Sequence, residues 1–342
     1  MRKNSRLFPI LLFVLVGFGL SAQNQVKTAF IQENLWYQNP GAINSDGGFN
    51  ANILYSYEPS FFEKRTSLYS SERYSVSRVV VGLDYELPVF KELKLLNPII
   101  GISGNFLAPN GGVISNFNSY PNGGNETYSE LGINLANKFV INDKQFFSIG
   151  GYYRNAQYEV DASHQDYMDE EGGIIPPWGG IPVRKNILTH VVGFGANYYN
   201  EINEIQAGIS VDNSPMNMRT IFKPGLPTEA NPSYFENRWS INFHYNMKIP
   251  LNKNLSIAPG FNSRIDYMFL NVDVALKLYL KDKYYVGAVF HGHGGYFSAV
   301  AGVEFDRLDF GVSYGTGLNK TGGIYNSNIP SVNAFLKWKI LK

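Results

Sequence analysis

Strict alternation of apolar and polar side chains, sustained over whole segments, is the feature that most constrains what this chain can fold into. Met268, Leu270, Val272, Val274, Leu276, Leu278 and Leu280 occupy one parity, and Asn271, Asp273, Ala275 and Lys277 the other. A period of two sends the two sets to opposite faces of a strand, whereas helical spacing would scatter Asp273 and Lys277 into the apolar stripe. The pattern recurs. Trp239, Ile241, Phe243, Tyr245 and Met247 oppose Ser240, Asn242, His244 and Asn246; Leu308, Phe310, Val312 and Tyr314 oppose Asp309, Gly311 and Ser313. Ile205, Ala207, Ile209 and Val211 likewise oppose Gln206, Gly208, Ser210 and Asp212.

Read this way, the chain predicts about fourteen strands, over 49–58, 74–86, 98–108, 127–140, 145–156, 187–199, 204–212, 235–248, 254–263, 267–280, 283–291, 295–305, 307–315 and 331–340. Such lengths suit the ~9–11 residues of a tilted membrane strand and exceed the ~5–6 usual in soluble proteins. The connections alternate in length. Tight ones fall at 142–144, 200–203, 281–282 and 306, with one longer connection near 88–97 at the same end, and long ones at 59–73, 109–126, 160–185, 213–234 and 316–330. Short turns at one end and long loops at the other are the habit of outer-membrane barrels, and a soluble sandwich gives no reason for that order. A sheet in lipid must also pair every backbone group, so it must close. The expected fold is all-β, a single closed antiparallel transmembrane β-barrel of about 14 strands over 49–342.

Composition enters at five points. A mean hydropathy of −0.17 does not separate a soluble β-protein from a barrel, because alternation averages toward neutral. An aromatic content of 15% does help, since it stocks two interfacial girdles. The absence of Cys removes disulfides and thiolate chemistry, and a net charge of +1 supplies no field for nucleic acid. The 34 glycines suit tight turns and crowded lumenal positions.

At the start of the chain, Arg2, Lys3 and Arg6 precede an apolar run from Leu7 to Leu20, then Ser21-Ala22. The run is short for a membrane helix and its small-residue exit fits cleavage, so residues 1–22 read as a signal peptide. Gln23, not Cys, is the expected mature N-terminus, so no lipid anchor is expected there. Residues 23–48 read as a periplasmic lead-in segment ahead of the barrel.

Little in the chain resembles chemistry. His291-Gly-His293-Gly-Gly could offer two metal ligands, but it reads better as a glycine-rich hairpin tip, since a site wants three or four ligands. The acidic stretch 161–171 lacks the ligand spacing and central glycine of a calcium loop and reads as a solvated outer loop. Asp212 and Asp273 fall on polar faces and are expected to pair with Lys or Arg. No nucleophile, base and orienting group converge in a motif, so no enzymatic activity, cofactor or metal is expected.

Two places carry a family resemblance. Residues 30–42, Phe-Ile-Gln-Glu-Asn-Leu-Trp-Tyr-Gln-Asn-Pro-Gly-Ala, resemble the start of PorP/SprF-like proteins of type IX secretion and gliding, although Gly41-Ala42 replaces the usual Ala-Tyr. Residues 254–260, 283–287 and 309–314 resemble that family's late strands, and the signal ending in Ser-Ala-Gln resembles those of Bacteroidota exported proteins. Within that resemblance, Asn39-Pro40 reads as a turn leading into the barrel.

The resemblance implies an outer-membrane accessory of the type IX secretion system that captures or anchors a secreted surface protein. The implied partners are an adhesin with a C-terminal sorting domain, periplasmic secretion components and outer-membrane lipid. The candidate partner-binding residues, all on long outer loops, are Tyr167, Ile174, Ile175, Trp178 and Phe222. The competing expectation is a porin or transporter for small or hydrophobic molecules, with Phe269, Tyr279, Tyr285 and Phe335 on the inner parity as lining.

Overall fold

The computed structural model describes residues 30, 32–42, 48–58, 75–87, 97–110, 125–161, 167–168, 174–175, 184–202, 204–215, 237–266, 270–292, 296–317 and 331–341. Among them fourteen long strands follow one another as β1 (Phe49–Glu58), β2 (Ser75–Glu86), β3 (Asn97–Asn110), β4 (Asn125–Asn142), β5 (Gln145–Asp161), β6 (Arg184–Asn200) and β7 (Ile205–Pro215). They continue as β8 (Asn237–Asn246), β9 (Leu255–Asp266), β10 (Leu270–Leu280), β11 (Tyr284–His291), β12 (Tyr296–Glu304), β13 (Leu308–Gly317) and β14 (Ser331–Leu341). Each pairs antiparallel with its neighbour in sequence, and β1 pairs with β14, from Phe49↔Leu341 to Tyr57↔Val332. The sheet therefore has no free edge, which is what lipid demands of a spanning sheet.

The two faces invert the order of a soluble protein. Leu131, Ile133 and Leu135 of β4 point outward and are more than half exposed, while Glu130, Asn134 and Ala136 on the other parity point inward and are buried. The same holds on β8, where Trp239, Ile241, Phe243 and Tyr245 face out and Ser240, Asn242, His244 and Asn246 lie buried in the lumen. Only a solvent as apolar as the side chains makes such an arrangement stable; in water the outer band would be a large aggregating patch. No helix among the described residues is long and apolar enough to cross a membrane.

The tight turns share a device. Asn142, Asn200 and Asn252 each turn the side-chain oxygen back onto a backbone N–H two residues later, of Lys144 (3.0 Å), Ile202 (2.9 Å) and Asn254 (2.9 Å). Asparagine favours reversals for this reason. Between β10 and β11, Lys281 and Asp282 both take left-handed φ values of 53°, and the Lys283 N–H closes the turn on the Leu280 carbonyl at 3.2 Å. These short connections mark the periplasmic end.

Two expectations change. The connection after β8 is not a plain loop: beyond a break at Met247-Lys248, Ile249–Asn252 pairs with the start of β9, Ile249 opposite Ile257. Several strands also run past their expected outer ends, β5 to Asp161 and β6 back to Arg184, with Asp161 opposite Arg184 in register.

Candidate functional site: a lumenal plug and its seat

The lumen is not empty. Phe30 and residues 32–42, part of the expected lead-in, lie inside the barrel, with a short α-helix, α1 (Leu35–Gln38), followed by a 3-10 turn (Pro40–Ala42). Phe30, Leu35, Trp36 and Tyr37 are buried, and Phe30, Trp36 and Tyr37 form one cluster with inward-facing Leu54, Val80, Ile99 and Phe335. Asn39-Pro40, read from sequence as a turn ahead of the barrel, is a turn within it, linking α1 to the 3-10 segment.

Glycines on the barrel wall form the sockets. A Cβ on Gly82 would sit 2.6 Å from Trp36 Cη2, one on Gly195 2.9 Å from Asn39 Cγ, and one on Gly150 2.6 Å from the Pro40 carbonyl carbon. Carbon atoms do not approach so closely, so these strand positions admit no side chain while the plug is in place. Over Gly195 and Gly208, Asn39 Nδ2 donates to the Ala196 carbonyl at 3.0 Å and the Ile209 carbonyl at 3.3 Å, while its Oδ1 accepts the Gly41 N–H at 2.8 Å. Ser148 Oγ donates to the Gly41 carbonyl, and Ser210 Oγ to the Gln38 carbonyl at 3.1 Å.

Charge completes the seat. Arg154 of β5 donates to the Tyr37 carbonyl and, at 3.1 Å, to Glu130 of β4, with its guanidinium 4.0 Å from the centre of the Tyr37 ring and 3.7 Å from that of Tyr152. Glu130 also accepts the hydroxyls of Tyr37 (2.8 Å) and Tyr128 (2.7 Å), and Asn105 Nδ2 donates to the Tyr37 oxygen at 3.0 Å. The two side chains of this ion pair are only 4% and 5% exposed, so each depends on the other and on the tyrosines for its solvation. Burial first, and the Glu130 charge second, hold the Tyr37 phenol well above its ordinary value, so it stays a donor. On the other side, fully buried Lys277 of β10 pairs with Glu33 of the plug.

Beyond the plug, the half of the lumen nearer the long connections holds further polar networks. Asp212 accepts from Ser240 (2.7 Å), Asn242 (3.0 Å) and Arg264 (3.1 Å), the arginine partner expected from sequence. Asp273 instead pairs with His291 at 2.9 Å, where Lys or Arg was expected, because Asp273 and His291 face each other in the β10–β11 register. His291 is thus a buried strand terminus, with Gly292 bonding the Val272 carbonyl at 2.7 Å, while His293 lies outside the described residues.

Of the partner-binding candidates, Trp178 and Phe222 lie outside the described residues. Tyr167 and Ile175 face each other in a two-strand pairing, with Met168 opposite Ile174, in the long β5–β6 connection. Of the inner-parity aromatics, Tyr279, Tyr285 and Phe335 are buried in the lumen as expected, and Phe269 lies outside the described residues. The sequence reading missed Arg154, Glu130 and Lys277 as seat residues; charged residues on the inward parity of a strand are the signal they left.

A closed barrel with an apolar exterior, a polar interior and short turns at one end is an outer-membrane β-barrel protein. Residues 95–331, well over half of the chain, match the type IX secretion system membrane protein PorP/SprF family, and the chain belongs to that family. The match includes residues 254–260, 283–287 and 309–314, and stops short of the plug. No functionally curated protein shows significant sequence similarity.

Solved structures are similar in fold. The Pseudomonas putida toluene transporter TodX superposes with a TM-score of 0.51 at 9% identity, covering 89% of this chain and 92% of that one. A deltaS2S3 mutant of the TodX monoaromatic hydrocarbon channel gives 0.54 at 10%, covering 94% and 97%. The translocator domain of the autotransporter NalP from Neisseria meningitidis gives 0.46 at 9%, covering 91% and 96%. At these identities the likeness is of fold alone.

Proposed function

We propose that this barrel is a non-enzymatic accessory of type IX secretion that captures or anchors a secreted surface protein, an adhesin with a C-terminal sorting domain, at the outer membrane. It also contacts periplasmic secretion components, and residues 1–22 are removed on export. The observation that carries this reading is the seated plug. A channel needs a path, and here Phe30 and residues 32–42 sit in the lumen with hydrogen bonds to β4, β5, β6 and β7. A filled barrel offers the outer side a rigid polar basin under long connections, which suits holding a partner better than passing a solute.

Crosslinking in the native host, followed by purification of the barrel and mass spectrometry, tests this. The expected result is reproducible recovery of a secreted protein with a C-terminal sorting domain together with type IX components. Recovery of the barrel alone, from cells that express such proteins, would overturn it. The transport reading gains nothing from the likeness to TodX, which is of fold alone.

A further inference from the structure

Among the described residues, Lys277 of β10 is the most enclosed charge, with a side chain 0% exposed. It lies directly across the ladder from Gly287 of β11, and the missing side chain there makes room for the lysine stem: an added Cβ would fall 3.0 Å from Lys277 Cγ. The ammonium lies 5.0 Å from the centre of the Tyr285 ring, and Tyr285 packs on Tyr279 with ring centres 5.3 Å apart. Inside this aromatic enclosure the lysine nitrogen meets the plug, where Nζ is in direct contact with Glu33 Oε1.

Hydrogen bonding is incomplete on both sides of the pair. An ammonium has three N–H donors, and among the described residues Glu33 is the acceptor that takes one of them. The second carboxyl oxygen, Glu33 Oε2, is buried with no partner. A buried ion pair is well stabilised only when its remaining donors and lone pairs are also met, and here they are not. Joined as an amide, the same atoms would present one donor and one acceptor, and the orphaned Oε2 would be gone.

A third group completes the chemistry. Asp309 of β13 lines the same cavity as Glu33, and its charge interacts with both Glu33 and Lys277. Glu304, opposite Asp309 in the β12–β13 register, interacts instead with Lys248, Lys339 and Lys337 beside Glu33. Asp309 is thus the carboxyl set against both members of the pair.

We propose that Lys277 and Glu33 join in an intramolecular isopeptide bond, with Asp309 as the proton carrier. The Lys277 amine attacks Glu33 Cδ, a C–N bond forms, and the bond from Cδ to Oε2 breaks. Asp309 takes a proton from Nζ and returns it to the departing oxygen, so water leaves and Asp309 ends as it began. The balance is one amine and one carboxyl giving one amide and one water, with no oxidant, reductant or cofactor. Glu33 borders a cavity of about 200 Å³ at the short-turn end, which gives the water an exit. Groups held in reacting contact reach effective concentrations on the order of 10⁵–10⁸ M, far above those of free side chains. The bond pins the plug at Glu33 alone and leaves α1 to seat through its own contacts. It rests on the lumenal seat and is independent of which partner is held outside.

The test is peptide mass spectrometry on the full-length barrel, purified from outer membranes, unfolded by heating in detergent and digested with trypsin. The expected result is a branched peptide joining the segment of Glu33 to that of Lys277, lighter than the two by one water and uncleaved after Lys277. Separate linear peptides, with cleavage after Lys277, would overturn the proposal without any variant and leave an ion pair. A branch from Glu33 to Lys337, or from Asp309 to either lysine, would overturn it as well. Asp309→Asn tests the proton carrier. In barrel refolded from denaturant, its branched product should form about 100-fold more slowly than in wild type, the lower end of general acid–base catalysis. An unchanged rate would remove Asp309 from the reaction, and the wild-type result stands whether or not that variant folds.

Discussion

Gly82→Ala is the smallest change that addresses the plug and leaves the barrel wall intact. The added methyl would lie 2.6 Å from Trp36 Cη2 and 2.8 Å from Cε3. Carbon pairs rest near ~3.5–4.0 Å, so the indole must retreat by about 1 Å. Two responses compete. Expelling the indole altogether forfeits burial of roughly 200 Å², or about 5 kcal/mol at ~25 cal/mol per Å². Repacking in place costs about 1–3 kcal/mol. The smaller cost wins, so the plug stays seated in most molecules while its unseated fraction rises by about 5- to 150-fold. Planar-bilayer recording reads this directly as the fraction of time a single barrel conducts. Trp36→Ala removes the clashing ring, so adding Gly82→Ala to that background should change nothing further. Conductance in Gly82→Ala equal to wild type, or the same increment in both backgrounds, would refute the claim that this glycine exists to admit the indole.

The other predictions concern the rest of the seat. Arg154→Met leaves Glu130 buried beside two tyrosines with no cation, and should cost about 3–5 kcal/mol, seen as a lower temperature for loss of the compact electrophoretic band. Asn39→Ala removes the donor to the Ala196 and Ile209 carbonyls and should loosen the plug by about 1–3 kcal/mol, measured as faster hydrogen exchange over residues 30–42. Replacing residues 30–42 with a Gly/Ser stretch should leave a folded barrel that conducts steadily, because strand pairing does not depend on the plug; unchanged silence in bilayers would contradict the lumenal seat. For Lys248, burial acts to lower the pKa, but Glu204, Asp282 and Glu304 outweigh it and raise it above 10.5. Its stabilising share is therefore complete below pH 10.5 and lost as pH climbs through the higher folded value, so Lys248→Met should flatten the alkaline decline in thermal stability.

The barrel was legible because its physics is local. Leu276, Leu278 and Leu280 against Ala275, Lys277 and Tyr279 declare two solvents on two sides of one strand, and Asn142 and Asn200 announce reversals through their own side chains. The plug was not legible, for an equally physical reason. Residues 30–42 carry no period, and their partners lie scattered on strands up to 244 residues away. Inward-parity glycines such as Gly82, Gly195 and Gly208 were the trace it left. A missing side chain says that something approaches closely, but not what. Aspartate pairing was legible only in part: Asp212 found its arginine, whereas Asp273 took the histidine that register put opposite.

The separation between Glu33 and Lys277 has a consequence for the order of assembly. A sheet that is still open has no interior, and the floor on which residues 30–42 rest is contributed by strands from β1 to β14. This early segment of the chain is thus among the last to find its place, because its contacts reward it only after β1 has met β14 and β8 has met β9. Seating of the segment is then a report that closure has occurred. A barrel that has failed to close leaves Phe30, Trp36 and Tyr37 exposed at the periplasmic surface, where chaperones and proteases can tell it from a finished one.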